Sequence, residues 1–277
     1  MTLETLAAVI GSPIEHSLSP AIHRAAFAEA GVDWSYAAFD VAEGQGAQAI
    51  AAMRVLGIGG LSVTMPHKHV VAAAVDRLDP AALALESVNT VSWDGDDLVG
   101  SSTDGAGFVA ALDDEGVDVA DSRVVVLGAG GAAKSIIDAL GRAGAAEIRV
   151  VNRTAANVAR AVVLAEAAIE GGKADVSEAD IVVNATSVGM GVDLTHASVD
   201  DLPCSAELLK DGQVVVDLVY HPLRTAWLDA ASAVGAHAID GLGMLVHQAV
   251  LQQECWLGTR PDPEVMRVAA EAELASR

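Results

Sequence analysis

The chain has 277 residues, of which 52% are hydrophobic and only 3% aromatic, and it carries a formal net charge of −22. Such a length suggests one large domain or two of ordinary size, and the composition is that of a globular α/β protein rather than a disordered chain. The negative field repels nucleic acid and anionic membranes and argues against both as partners, and no apolar run reaches the ~20 residues needed to span a bilayer.

Leu6 to Ile10 reads as a buried strand, and the loop from Gly11 leads to a helix opened by Pro20, with Ser19 as its N-cap and Gly31 as its stop. Trp34 to Asp40 alternates as a strand does, and Ala47 to Leu56 reads as a helix closed by Gly57. Gly59 and Gly60 introduce a short strand, Leu61 to Thr64. Pro66 ends it, and His67, Lys68 and the apolar run Val70 to Val75 open a helix. Thr64 and Lys68 then stand at the carboxyl end of a strand, where open α/β sheets bind ligands. Lysine occurs only at Lys68, Lys134, Lys173 and Lys210. One of these at a strand-to-helix turn is a candidate functional group, although a solvated lysine on a helix start has the same local pattern. Asp79-Pro80 starts a short helix, Val88 to Trp93 reads as a strand, and Asp94-Gly95 is a hairpin signal. Strand–helix alternation through the first hundred residues implies a mainly parallel sheet.

The segment Gly100 to Gly105 leads into an apolar helix, Phe108 to Leu112, and marks the crossing into a second domain. Asp104 stands there at the end of a strand and the start of a helix, where a capping carboxylate is also favoured. Arg123 to Leu127 is a buried strand. Gly128, Ala129, Gly130, Gly131 and Ala132 follow directly, then a helix from about Lys134 to Arg142, Gly144 as its stop, and a strand from Glu147 to Val151. Glycines in such a turn let the backbone approach a pyrophosphate, which the N–H groups of the helix start can bind. A cofactor with a free ribose 2′-hydroxyl wants Asp or Glu after the second strand. Asn152, Arg153 and Thr154 stand there instead, and Arg153 suits a 2′-phosphate; the alternative is a surface arginine beside a helix capped by Thr154. Asp180 to Asn184 and Val214 to Leu218 are further strands, whose ends carry Thr186, Val188 and Met190 and, in the second case, Val219 and Tyr220. These ends face the cofactor crevice. His237 to Gly241 is a last short strand, Gly241 to Met244 opens a helix carrying Gln248, and Pro261-Asp262-Pro263 precedes a final helix.

Taken together, these pieces make the chain resemble the shikimate dehydrogenase family from end to end. The resemblance is carried by Ser17-Leu18-Ser19-Pro20, Ser62 to Lys68, Val88-Asn89-Thr90, Ser102 to Gly105, Gly128 to Ala132, Asn152 to Thr154, Asn184 to Met190, Tyr220 to Thr225 and Gly241 to Leu245. It implies two domains: a substrate-binding catalytic domain of residues 1–104 plus 240–277, mainly parallel α/β and completed by C-terminal helices, and a Rossmann-type doubly wound NADP domain of residues 105–239. It also implies reversible hydride transfer between NADP and shikimate or 3-dehydroshikimate, bound in a cleft, with quinate or an aminoshikimate and NAD as the rival substrates and cofactor. Lys68 and Asp104 are the implied catalytic pair, and Ser17, Ser19, Thr64, Asn89, Tyr220 and Gln248 the implied substrate contacts. Gly128, Ala129, Gly130, Gly131, Ala132, Asn152, Arg153, Thr154, Thr186, Val188, Met190, Val219, Gly241 and Met244 are the implied cofactor contacts.

The chemistry of these residue types agrees: reducing a ketone needs a proton for the developing alkoxide, and a positioned lysine ammonium supplies charge and proton together. Short polar side chains suit a polyhydroxylated ring, because specificity for hydroxyls comes from hydrogen bonds otherwise left unpaired. Three positions depart from the family pattern: Ser62, Ser102 and His221 stand where asparagine is frequent. Cys204 and Cys255 lack metal spacing and read as reduced thiols, His16, His67, His69 and His247 form no convincing ligand set, and no metal is implied. Met1 to Glu4 shows no basic region ahead of an apolar stretch, so a cytoplasmic protein is expected, with monomer and homodimer both open.

Overall fold

The computed structural model describes residues 4–192 and 202–277; Met1 to Leu3, on which the reading of the first residues partly rests, lie outside them. The chain divides into two compact units, Met1–Thr103 with Val246–Arg277, and Asp104–Leu245.

In the first unit, alternate residues of β1 (Thr5–Gly11) enter different apolar clusters. Ala8 and Ile10 pack with Ile50 and Met53 of α2 (Gly46–Leu56), while Ala7 and Val9 pack with Phe27 of α1 (Ser19–Glu29) and Tyr36 of β2 (Trp34–Asp40). A strand buried on both faces needs this double supply of apolar side chains. The sheet continues through β3 (Gly60–Val63), β4 (Arg77–Leu78), β5 (Thr90–Asp94) and β6 (Asp97–Ser101), in the order β2-β1-β3-β5-β6-β4. Three of its five pairings are parallel; β3–β5 and β5–β6 are antiparallel, the second closed by the turn at Gly95. Two short helices lie between, α3 (Lys68–Ala72) and α4 (Pro80–Leu85), the latter capped by the Asp79 carboxylate.

Local structure corrects the sequence reading at two places. Ser19 is the first helical residue of α1 and caps nothing: Leu18 holds the cap position, and the Ser17 hydroxyl accepts from the Ser19 N–H at 3.3 Å. The helix expected to run through Val75 closes at Ala72, because Ala74 N–H turns to Val71 O and the Asp76 N–H joins Leu98 O.

The second unit begins with α5 (Asp104–Asp114), followed by β7 (Arg123–Leu127), α6 (Gly131–Arg142), β8 (Glu147–Val151), α7 (Ala155–Val162) and β9 (Ala168–Glu170). Then come β10 (Ile181–Asn184), β11 (Val214–Asp217), α8 (Ala226–Ala233) and β12 (His237–Ile239). The helix expected from Lys134 starts three residues earlier, at Gly131. All pairings are parallel, in the order β12-β11-β10-β7-β8-β9. This is the doubly wound arrangement, whose strand order reverses between β7 and β10 and places ligands beyond the strands' carboxyl ends. Val124 and Val126 are buried in one cluster with α6, and Val125 and Leu127 in another with Trp227 of α8. Two last helices follow, α9 (Leu242–Leu257) and α10 (Pro263–Ala275). The division between units falls within α9, so residues 240–245, expected with the first domain, group with the second, as does Asp104.

One buried polar group in the first unit sets a pH dependence. His23 is fully buried, and burial pushes its imidazole down to about 3, against the weaker opposing effect of Gln252. The folded form therefore holds the ring neutral while the unfolded form protonates near its ordinary 6.5, so stability present above that value is lost as pH falls toward 3. Urea unfolding at pH 6 and pH 4.5 should show His23→Gln losing about 1.4 kcal/mol per pH unit less than the parent. Equal slopes would mean the ring is protonated in the fold.

Candidate active site

The first unit gathers its candidate residues where β1, β3 and β5 end or begin. Gly11 closes β1 without a side chain because a Cβ there would lie 2.4 Å from Thr64 Cγ2 and 3.2 Å from Met65 O. Backbone bonds Thr64 N to Ile10 O (2.9 Å) and Ser12 N to Met65 O (2.9 Å) fasten the two strand ends together. Lys68 is half-buried at the first position of α3, after His67, which is buried with Nε2 2.7 Å from Val41 O. The Lys68 carbonyl accepts the Val88 N–H at 3.0 Å, which brings the chain leading to Asn89 against this helix start.

Asn89 is buried and held on every side. Its Oδ1 accepts from Thr103 N–H (2.8 Å) and Thr90 Oγ1 (2.9 Å), and its Nδ2 donates to Thr103 Oγ1 (2.9 Å) and, at 3.4 Å, to Gln248 Oε1. Ser17 and Ser19 are half-buried at the start of α1, and Arg277 donates to the His16 and Ser17 carbonyls of the preceding loop. Thr64, Lys68, Asn89 and Gln248 thus stand on adjoining segments of one unit.

The second unit holds the rest. Asp104 opens α5, and the next residue must be glycine, since a Cβ on Gly105 would lie 2.1 Å from the Ser135 carbonyl of α6. Gly128 has φ +122°, and a Cβ on it would meet Ala185 O at 2.7 Å, so β7 can turn into α6 this close to β10 only with glycine. Gly130 is the N-cap of α6; it and Gly131 are exposed, and a Cβ added to either meets nothing within 4 Å. The first turn of this 12-residue helix carries no acid. An open glycine cradle before such a helix start fits the pyrophosphate of a dinucleotide.

Beyond β8, Asn152 Nδ2 donates to Thr154 O at 3.3 Å and leaves Arg153 exposed; Thr154 holds the cap position of α7 without a capping bond from its hydroxyl. At the ends of β10 and β11 lies a latch that the sequence reading missed. Asp217, fully buried, accepts from Asn184 Nδ2 (2.8 Å), Val219 N–H (3.1 Å) and Thr225 Oγ1 (2.7 Å). Asn184 Oδ1 accepts in turn from Thr186 N–H (3.1 Å) and Thr186 Oγ1 (2.7 Å), and its Nδ2 reaches Val188 O (3.2 Å). An acid after the run Val214 to Val216 was the available signal. Val219 is buried, Tyr220 half-buried and Met190 exposed. Gly241 passes so close to β11 that a Cβ would lie 2.3 Å from Leu218 O, and Met244 packs on the cluster around α6. Among the described residues, no group of three His, Cys, Asp or Glu could hold a metal, both cysteines are free thiols, and no helix is long and apolar enough to cross a membrane.

An all-parallel sheet in this order, with a glycine turn open at a helix start, places the protein in the dinucleotide-binding α/β class. Family models agree along most of the chain: the shikimate dehydrogenase substrate binding domain matches residues 9–91, shikimate / quinate 5-dehydrogenase residues 111–219, and the shikimate 5'-dehydrogenase C-terminal domain residues 241–271. A relative from Symbiobacterium thermophilum named shikimate dehydrogenase (NADP(+)) is 42% identical over 96% of this chain and 93% of its own. The chain belongs to the shikimate dehydrogenase family. Among solved structures, shikimate 5-dehydrogenase from Thermus thermophilus in complex with NADP(H) and shikimate is 37% identical with TM-score 0.86, covering 97% of this chain and 99% of that one. The ligand-free 5-ketofructose reductase of Gluconobacter sp. strain CHM43 is 33% identical with TM-score 0.89, covering 98% and 99%.

Proposed function

We propose that the protein is an NADP-dependent oxidoreductase that reversibly reduces 3-dehydroshikimate to shikimate, a cytoplasmic step of chorismate and aromatic amino acid biosynthesis. The observation that carries this reading is the joining of Thr64, Lys68, Asn89 and Gln248 on adjoining segments of one unit, in a chain whose other unit offers an open glycine cradle. Gly128 to Ala132 would hold the pyrophosphate, Arg153 with Asn152 and Thr154 the 2′-phosphate, and Thr186, Val188, Met190, Val219, Gly241 and Met244 the remainder of NADP. The bound dinucleotide supplies or accepts the hydride.

Lys68 holds the proton that the substrate's carbonyl oxygen takes up as negative charge develops on it, and Asp104 orients and stabilises that ammonium. Ser17, Ser19, Thr64, Asn89, Tyr220 and Gln248 bind the carboxylate and hydroxyls of the ring, and an analogue lacking a hydroxyl leaves such groups unpaired.

Initial rates at 340 nm with shikimate, quinate and an aminoshikimate, each with NADP and NAD, test the reading. The highest kcat/KM is expected for shikimate with NADP. Preference for quinate or an aminoshikimate would move the protein to another activity of the same family, and no absorbance change with any of them would refute the reading.

Arg153→Asp should raise the KM for NADP about ten- to hundredfold, the worth of a charge-assisted hydrogen bond, and leave that for NAD within a few-fold. Unchanged cofactor preference would remove Arg153 from this role.

A further inference from the structure

Gln248 and Gln252 lie one turn apart on the same face of α9, yet their surroundings differ. Gln252 is 2% exposed, and each end of its carboxamide is fixed to another segment. Its Oε1 accepts from Ser62 Oγ of β3 at 2.7 Å and lies 3.1 Å from His23 Nε2 of α1, while its Nε2 donates to the Asn89 carbonyl at 3.1 Å. That carbonyl also accepts the Val63 N–H at 2.7 Å, at the point where β3 and β5 come together.

The partners of this amide are themselves held. Gln253 Nε2 lies 3.1 Å from His23 Nδ1, and since an amide nitrogen only donates, Nδ1 accepts and Nε2 carries the proton given to Gln252. Ser62 Oγ receives the Tyr36 hydroxyl at 2.7 Å. Burial pushes the Tyr36 phenol further up, with the hydroxyls of Ser62 and Ser19 beside it pulling the other way, so the same cluster reaches the start of α1. One carboxamide therefore joins the strand that delivers Thr64 and Lys68, the segment that presents Asn89, and the helix that begins at Ser19.

We propose that Gln252 is a positioning residue for substrate: through Ser62, His23 and the Asn89 carbonyl it sets the spacing between the Thr64–Lys68 turn and Asn89. The proposal rests on the functional reading above, which makes those groups substrate ligands. Gln252 touches no substrate atom in it. Its effect arises because reacting and binding groups displaced by about 1 Å can lose on the order of 10² in rate.

Two kinds of variant test it. Gln252→Met keeps volume and removes all three hydrogen bonds. Kinetics at saturating NADP, at a temperature where the variant remains folded, should show kcat/KM for shikimate reduced at least tenfold, with the KM for NADP within twofold of the parent. The exchange S62N/Q252S moves the carboxamide onto β3 and a hydroxyl onto α9, and it should recover kcat/KM to within about threefold although each single change is impaired, a coupling expected only of residues that share one network. Should Gln252→Met fail to fold, Gln252→Glu keeps both acceptor contacts but sets a carboxylate oxygen against the Asn89 carbonyl in place of the N–H, which pushes that junction apart and reads the same split. A folded variant with unaltered kcat/KM would overturn the proposal. So would equal losses toward shikimate and NADP, or an exchange pair no better than the worse single change. Parent turnover of shikimate, measured alongside, judges the functional reading separately.

Discussion

Lys68→Ala should lower shikimate turnover by roughly 10²–10⁴ and leave NADP affinity nearly intact. Lys68 is the first residue of α3, and backbone and neighbouring contacts hold this helix start: His67 is buried against Val41 O, Val71 N–H bonds the His67 carbonyl, and the Lys68 carbonyl takes the Val88 N–H. None of those contacts involves the lysine side chain, and alanine favours a helix at least as well. What disappears is a proton source and a positive charge that, in the proposed mechanism, meet the oxygen on which negative charge develops, so the deficit belongs in kcat. Lys68→Arg should restore little: a guanidinium keeps the charge but holds its proton too tightly to deliver it. Single-turnover rates at 340 nm and fluorescence titration with NADPH give the two numbers required. Weakened shikimate binding with kcat retained would make Lys68 a ligand and leave the proton without a source.

How far such roles can be read before folding depends on the range of the interactions behind them. The turn Gly128 to Gly131 was legible because its constraints are local: a strand on each side, one glycine with positive φ, and an open helix start. The all-apolar run Val124 to Leu127 likewise announces a strand covered on both faces. The two-residue β4 and three-residue β9 carry too little pattern to be found alone, and each is held by one neighbouring strand. Serine before proline is a cap pattern, yet at Ser19 the hydroxyl caps nothing and Ser17 two residues earlier receives the Ser19 N–H. Least legible were the polar networks: His23 and Gln252 are 229 residues apart, and Asn184 and Asp217 are 33 apart. No periodicity connects such positions. Only the register of β10 against β11, which sets Asn184 opposite Asp217, and the return of α9 onto the first unit bring them together.

Asp217→Ala should lower stability by about 3–5 kcal/mol. Its carboxylate takes three donors, none of them charged, inside a fully buried site, and truncation leaves the Asn184 amide, the Val219 N–H and the Thr225 hydroxyl short of an acceptor. Each buried donor left unpaired costs about 1–3 kcal/mol, with some relief from relaxation. The damage spreads to both loops: Asn184 orients Thr186 and Val188, and Thr225 caps α8 through the Leu228 N–H. The KM for NADP should therefore rise along with the loss of stability. The pH dependence is opposite in sign to that of His23. Burial outweighs the three donors and raises the Asp217 carboxyl above its ordinary 3.8, so the fold disfavours the charged form. The residue's contribution is then greatest below 3.8 and is lost as pH rises through the folded value, so the gap between parent and Asp217→Ala should widen as pH falls from 8 toward 3.8. Urea unfolding at both pH values measures it. A gap that narrows on acidification would mean the carboxylate is stabilised by its donors more than burial penalises it, and the latch would then work as an anion site rather than as a strained one.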